Sequence, residues 1–223
     1  MPASQVLNDQ ELTAAWREGL EWRYATKKYD ATKKVAPEVL EQLHHAVQMA
    51  PSSYGVQPYR AVIVTDPELR KTLRQAAWNQ PQVTDATEIV VFAAKDNVSE
   101  EDVDVFIRDT AGQRGMSEDS LKAYRDIIVG DVVNGPRGKW SGEWAARQCY
   151  IALGFLLNAA MVHHVDATPM EGFDPAAFTK ILELDKLGYH AVVMCAVGYR
   201  AHDDWLAPLK KVRTPQERLF IRR

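Results

Sequence analysis

Three short apolar runs constrain this chain more than any other feature. Ala61-Val62-Ile63-Val64, Ile89-Val90-Val91-Phe92-Ala93 and Ala191-Val192-Val193-Met194-Cys195-Ala196-Val197 are rich in β-branched side chains and carry no charge. Each reads as a buried strand, and the three belong to one sheet. Between and around them lie helical patterns. Leu12, Ala15, Trp16, Gly19 and Leu20 recur at helical spacing behind the candidate caps Asn8 and Asp9, which predicts an opening helix ending near Trp22. Pro37 opens a second helix with Val39, Leu40, Leu43, Val47 and Ala50 on one face, and Pro51 stops it. Two longer candidates cover about 101–129 and about 141–163, the latter patterned by Trp144, Ala145, Cys149, Ala152, Leu153, Leu156 and Leu157. Helices therefore outnumber strands, and the turn-rich link 133–140 reads as a surface loop because core patterning resumes at once.

A chain of 223 residues can bury its core as a single domain spanning 1–223. Its formal charge of -3 offers no field to draw it along a polyanion, so nucleic acid is not an expected partner. No apolar run approaches the roughly 20 residues that cross a bilayer. Asp9 and Glu11 fall where a signal peptide would carry its apolar middle. A cytoplasmic protein with no membrane partner is the expectation. Cys149 sits in a helical pattern and Cys195 in a strand run, so both read as buried thiols.

Several chemistries drop out. The glycines never fall as Gly-x-Gly, and no Gly-Lys-Ser/Thr occurs, so neither a dinucleotide fingerprint nor a P-loop is present. The pairs His44-His45 and His163-His164 are adjacent, which points their members to different sides of a helix, and no metal site is expected. No Gly-x-Ser-x-Gly elbow or His-Glu-x-x-His is found.

Four pieces remain. Arg23, Lys27, Lys28, Lys33 and Lys34 face the single acid Asp30, and alone they read as a solvated charged face. Ala50-Pro51-Ser52-Ser53-Tyr54-Gly55-Val56-Gln57-Pro58 concentrates hydroxyls, amides and backbone donors between a helix and a strand; alone it is a helix-stop loop. Pro169-Met170-Glu171-Gly172-Phe173 follows an extended segment, and Gly172 lets the backbone approach a flat ligand. Lys211-Val212-Arg213 sets two cations two residues apart, suited to one anion if extended.

In this order and at these separations the four pieces resemble the nitroreductase family of FMN enzymes, from about Trp22 to Pro215. Within it the match is nearest to the bacterial oxygen-insensitive NAD(P)H nitroreductases and dihydropteridine reductases. The resemblance implies an α+β, nitroreductase-like fold, with a mainly antiparallel sheet flanked by helices, in an intertwined homodimer carrying FMN at each of two interface sites. It implies a helical cover over the active site at about 97–140, with Phe106, Tyr124 and Trp140 as candidate aromatic walls. It also implies that the tail, about 214–223, adds Leu219, Phe220 and Ile221 to the partner's sheet.

The resemblance further implies residue roles. Arg23, Lys211 and Arg213 would hold the phosphate. Tyr24, Ala25 and Thr26 would flank the cofactor, and Lys27 would lie at the pyrimidine edge, where a cation favours the reduced anionic ring. Ser52, Ser53, Gly55 and Gln57 would line ribityl and ring, with Asn79 and Gln82 as polar contacts. Pro169 and Met170 would pack on one face, and a backbone N–H of Glu171 or Gly172 would meet N5. NADH or NADPH would give hydride, and a small aromatic or quinone acceptor would follow in the same slot. No separate proton donor is named. Gly55 stands where many relatives have asparagine, Ala25 where serine is common, and Gln82 where some have lysine. These departures support the alternative of a non-catalytic FMN carrier or sensor. A third reading is an interaction protein on the same fold without FMN.

Overall fold

The computed structural model describes residues 9–223. The candidate cap Asn8 lies outside them. The chain runs α1 (Asp9–Trp22), α2 (Pro37–Gln48), β1 (Tyr59–Val64), α3 (Pro67–Ala76), α4 (Gln82–Asp85) and β2 (Glu88–Lys95). It continues with α5 (Glu100–Arg114), α6 (Lys122–Ile128), α7 (Ser141–Val162), β3 (Asp166–Met170), α8 (Pro175–Ile181), β4 (Tyr189–Gly198) and α9 (Gln216–Leu219).

The three apolar runs form β1, β2 and β4, and β3 joins them in one antiparallel sheet of order β1-β2-β4-β3. One row crosses all four strands: Val62 faces Val91, Val91 faces Met194, and Met194 faces Met170. This row and its neighbours Ile89 and Ala196 point to the side covered by α3 and α8, with Phe173 and Phe178. The alternate residues Val90, Phe92, Cys195 and Val197 point to the side covered by α2, α5 and α7. Because strand side chains alternate faces, covering both faces is what removes polar alternation from β2 and β4. Both cysteines are buried free thiols, each pushed up to about 12 by that burial.

Local chemistry sets the helix ends. Ser99 and Asp102 form a reciprocal capping box on α5. Asp66 and Asp174 cap α3 and α8, each followed by proline. The single helix expected at about 101–129 is instead two. Gly115 takes a left-handed φ of 62° and ends α5, and a 3-10 turn at Glu118–Leu121 leads into α6. A π-helical turn, Val129–Val133, follows α6.

Two further expectations change. Pro136–Val162 is one helical stretch long and apolar enough to cross a membrane by length and composition, where the residue run suggested none. Its Trp144, Cys149, Ala152 and Leu156 are buried in the core, while Tyr150, Ile151, Phe155 and Val162 form an exposed apolar stripe. The tail is not extended at its start: Gln216–Leu219 is a helical turn, because Pro215 supplies a helix-compatible entry. Leu219, Phe220 and Ile221 are all exposed.

Candidate functional site

The chain leaves α1 at Arg23 and is pinned at once. Lys27 N and Lys28 N donate to Asp204 Oδ2 at 2.7 and 3.0 Å, and Leu206 N donates to Oδ1 at 2.9 Å. Burial pushes the Asp204 carboxyl up, but these amides outweigh it and hold it below the ordinary value. Thr26 is completely buried, donating its hydroxyl to Asp166 Oδ1 at 3.2 Å and accepting from Thr168 Oγ1 at its carbonyl. Its side chain therefore holds the segment in place and is not displayed to a ligand. Asp166 also accepts Arg200 N and Nε, both at 2.8 Å. The Arg200 guanidinium lies over the rings of Trp22 and Tyr24 at 4.4 and 4.5 Å.

This scaffold of Asp166, Arg200 and Asp204 was not legible in the sequence, where each is a lone charge beyond an apolar run. Its effect is to bring Arg23 to the far end of the chain. Lys211 Nζ donates to the carbonyls of Leu20 and Arg23, closing the exposed end of α1. Burial lowers the Arg23 pKa, and Arg213 lowers it further. Burial likewise lowers Lys211, followed by Arg23 and Arg213, with Glu21 opposing in part. Three cations from opposite ends of the chain thus share one electrostatic site. Cations that raise one another's energy form a site that an anion relieves.

A second group lies beyond the other end of β3. Gln80 Nε2 donates to the carbonyls of Ala77 and Gly172, at 3.1 and 2.5 Å. A Cβ on Gly172 would stand 2.9 Å from the Trp78 ring and 3.2 Å from Gln80 Nε2, so a side chain there would displace one of them. Trp78 and Asn79 both take left-handed φ, 53° and 57°. Gln82 is 6% exposed, and its Oε1 is buried without a hydrogen-bond partner. Tyr150 Oη donates to Glu171 Oε1 at 2.6 Å, and burial together with that carboxylate pushes the phenol up to about 12. Met170 departs from expectation: as an inward member of β3 it is buried among Phe173, Phe178 and Met194, which leaves Pro169 as the half-buried member of the pair.

The Ser52 to Gln57 loop is tight, with left-handed φ at Tyr54, Gly55 and Gln57. Ser52 Oγ accepts Gln57 N at 2.9 Å, and Ser53 N donates to Gln148 Oε1 at 2.9 Å. Gln57 Nε2 donates to Gln48 O at 2.9 Å, at the end of α2, and Gln57 is half-buried on the wall of the cavity that Gly55 lines. Tyr54 Oη donates to Asp131 in the π-helical turn at 2.7 Å, and Tyr124 Oη donates to Tyr54 O at 2.7 Å. Gly55, Phe106 and Tyr124 line a cavity of about 1240 Å³ with β1 and α5. Trp140 does not line it: its ring holds the guanidiniums of Arg137 and Arg147 at 5.7 and 4.8 Å.

Lys211 thus meets the α1 exit at Leu20 and Arg23, with Arg213 two residues further on. Asn79 and Gly172 lie at the clamped turn before α4, and Gln82 opens α4. Ser52, Ser53 and Gly55 enter β1, the opposite edge of the sheet from β3. Three strand spacings, about 14 Å, separate those edges.

The comparisons with known proteins agree with this architecture. A protein of Staphylococcus saprophyticus that bears the provisional name NAD(P)H nitroreductase is 31% identical over 207 residues, covering 88% of this chain and 91% of its own. The major NAD(P)H-flavin oxidoreductase of Aliivibrio fischeri is 28% identical over 87% of this chain and 92% of its own. A nitroreductase-type protein of Exiguobacterium sibiricum, solved in complex with FMN, superposes with a TM-score of 0.78 at 21% identity, covering 98% of this chain and 99% of its own. The Nitroreductase family model matches residues 20–199, so this chain belongs to the Nitroreductase family.

Proposed function

We propose that the protein is an FMN-dependent oxidoreductase that takes hydride from NADH or NADPH and reduces small planar acceptors, such as nitroaromatics, quinones or pterin-like rings, by a ping-pong mechanism. The observation that carries this reading is the meeting of the chain's two ends, where Lys211 Nζ donates to the carbonyls of Leu20 and Arg23 beside the Arg23 guanidinium, with Arg213 two residues on. Bound FMN would supply the chemistry, accepting two electrons and a proton as hydride and passing them on.

The residues fit that cofactor. A phosphate near double charge needs several charge-assisted donors. Lys211 has spent two of its three donors on carbonyls and keeps one, while Arg213 is exposed and adds its guanidinium. Asn79 and Gln82 would supply polar groups toward the ring and ribityl, and the turn at Gly172 would bring main chain close to the ring. In this reading Lys27, whose backbone N donates to Asp204, would put a cation at the ring's pyrimidine edge. Glu171 and Gly172 offer main-chain donors, and the Tyr150 contact fixes the Glu171 carboxylate away from them. Positioning and electrostatics are the protein's share of such chemistry.

A homodimer completes the site in this reading. A second copy would bring its Ser52–Gly55 loop to the cation half-site, with the exposed stripe of α7 and the exposed tail supplying apolar contact. Obligate interfaces of that kind bury roughly 2,000 Å² or more.

The test is simple. The purified protein should be yellow, and NADH or NADPH added without oxygen should bleach it. A protein that stays coloured would be the carrier or sensor, the reading that the missing side chains at Ala25 and Gly55 favour. A protein that takes up no FMN would overturn both.

A further inference from the structure

Trp78 carries a chemistry that no sequence pattern had singled out. It is 72% exposed, more than any other aromatic side chain among the described residues named as exposed. Large apolar rings at a surface normally lie flat against apolar neighbours or lose their exposure to packing. This one is displayed by a backbone that resists the conformation: Trp78 and Asn79 are consecutive non-glycine residues with left-handed φ. Bulky residues adopt that geometry only where surrounding contacts enforce it.

The enforcing contacts are all present. Arg74 O accepts from Asn79 N at 3.0 Å, and Arg74 Nε donates back to Asn79 O at 3.0 Å. Gln80 N donates to Ala77 O, and the Gln80 side chain bridges Ala77 O to Gly172 O. The turn is thus clamped on both sides of Trp78. The clamp sets the indole against Gly172, where any side chain at 172 would strike it. The strain is spent on holding an exposed aromatic face beside the backbone assigned to the flavin ring.

We propose that Trp78 is a specificity-determining residue, the aromatic wall on which a flat, electron-poor acceptor ring stacks while it lies over the cofactor. The assignment rests on the flavin reading above. An electron-rich indole favours offset stacking with electron-poor rings, such as quinones and nitroaromatics, over compact non-planar acceptors. Trp140 does not take this role, since its ring holds two guanidiniums, and Phe106 and Tyr124 line the cavity beside Gly55, away from the Gly172 turn.

The experiment uses the FMN-loaded full chain, with Trp78→Leu and Trp78→Phe. Steady-state turnover is compared for 1,4-naphthoquinone, which is planar, and for ferricyanide, which is not. The naphthoquinone-to-ferricyanide ratio of kcat/KM should fall about tenfold in Trp78→Leu and recover most of that in Trp78→Phe. A second readout needs no turnover. Titration of the oxidised holoprotein with 4-nitrobenzoate, followed in the visible flavin spectrum, should give a Kd about tenfold weaker in Trp78→Leu, again recovered by Trp78→Phe. An unchanged ratio and an unchanged Kd in a variant that still binds FMN would overturn the role of Trp78 and leave the flavin reading standing. A wild-type chain that takes up no FMN would overturn both.

Discussion

At the residue scale, charge is used in two opposite ways. Arg23, Lys211 and Arg213 crowd together unneutralised, whereas Glu88, 1% exposed, is matched by His44 Nε2 at 2.8 Å. The first arrangement awaits an anion. Replacing Arg213 by alanine should weaken FMN binding by about 10- to 100-fold, the loss of one charge-assisted contact of roughly 1.5–3 kcal/mol; fluorescence quenching of free FMN measures it. The second arrangement is structural and pH-dependent. The hydrogen bond to Glu88 raises the His44 pKa above 6.5, with Glu41 adding and burial opposing. A raised folded-state pKa gives stabilisation that is complete below the ordinary histidine value and lost as pH climbs through the raised one. The urea midpoint of the wild type should therefore exceed that of His44→Gln most at about pH 5.5, and the gap should narrow above about pH 8. A gap that widens with pH would contradict this sign.

At the scale of elements, the short connections place the chemistry. Arg70 is 5% exposed and donates from Nε to Val83 O at 2.7 Å, from Nη2 to Ala86 O at 2.7 Å and from Nη1 to Thr87 O at 3.1 Å. One guanidinium thus closes the end of α4 and fixes the entry to β2, and with it Gln82. Arg70→Ala leaves these carbonyls with no donor in a buried place, which should cost about 2–4 kcal/mol in urea unfolding. These contacts are invisible to periodicity, because Arg70 reads as one more polar residue of α3. The strands, by contrast, were legible: runs such as Ile89 to Ala93 have no polar alternation, a pattern that arises only when both faces are covered. The long helical candidate at about 101–129 misled because apolar spacing continues across the break, and Gly115 sits in it as an ordinary-looking residue until its φ of 62° is seen.

At the scale of the whole molecule, the proposed homodimer would join groups that one chain carries at opposite edges of its sheet, β3 and β1. The exposed Tyr150, Ile151 and Phe155 of α7 and the exposed Leu219, Phe220 and Ile221 of the tail are apolar surface that a second copy would cover. A chain ending at Pro215 should elute from size exclusion as monomer or as a dimer that dissociates on dilution; an intact, stable dimer would reject the role of the tail. Much of this protein was determined by its sequence alone: which segments form strands, where prolines and caps open helices, and which family its motif order resembles. Those are local matters, written in side-chain volume, polarity and backbone permission over a few neighbouring residues. Only the tertiary structure decided how Lys211 reaches the carbonyls of Leu20 and Arg23, that Thr26 and Met170 are buried inside the fold, and that Trp78 stands exposed beside Gly172. Each of these depends on contacts between residues far apart in the chain, and no spacing rule encodes where such residues will meet.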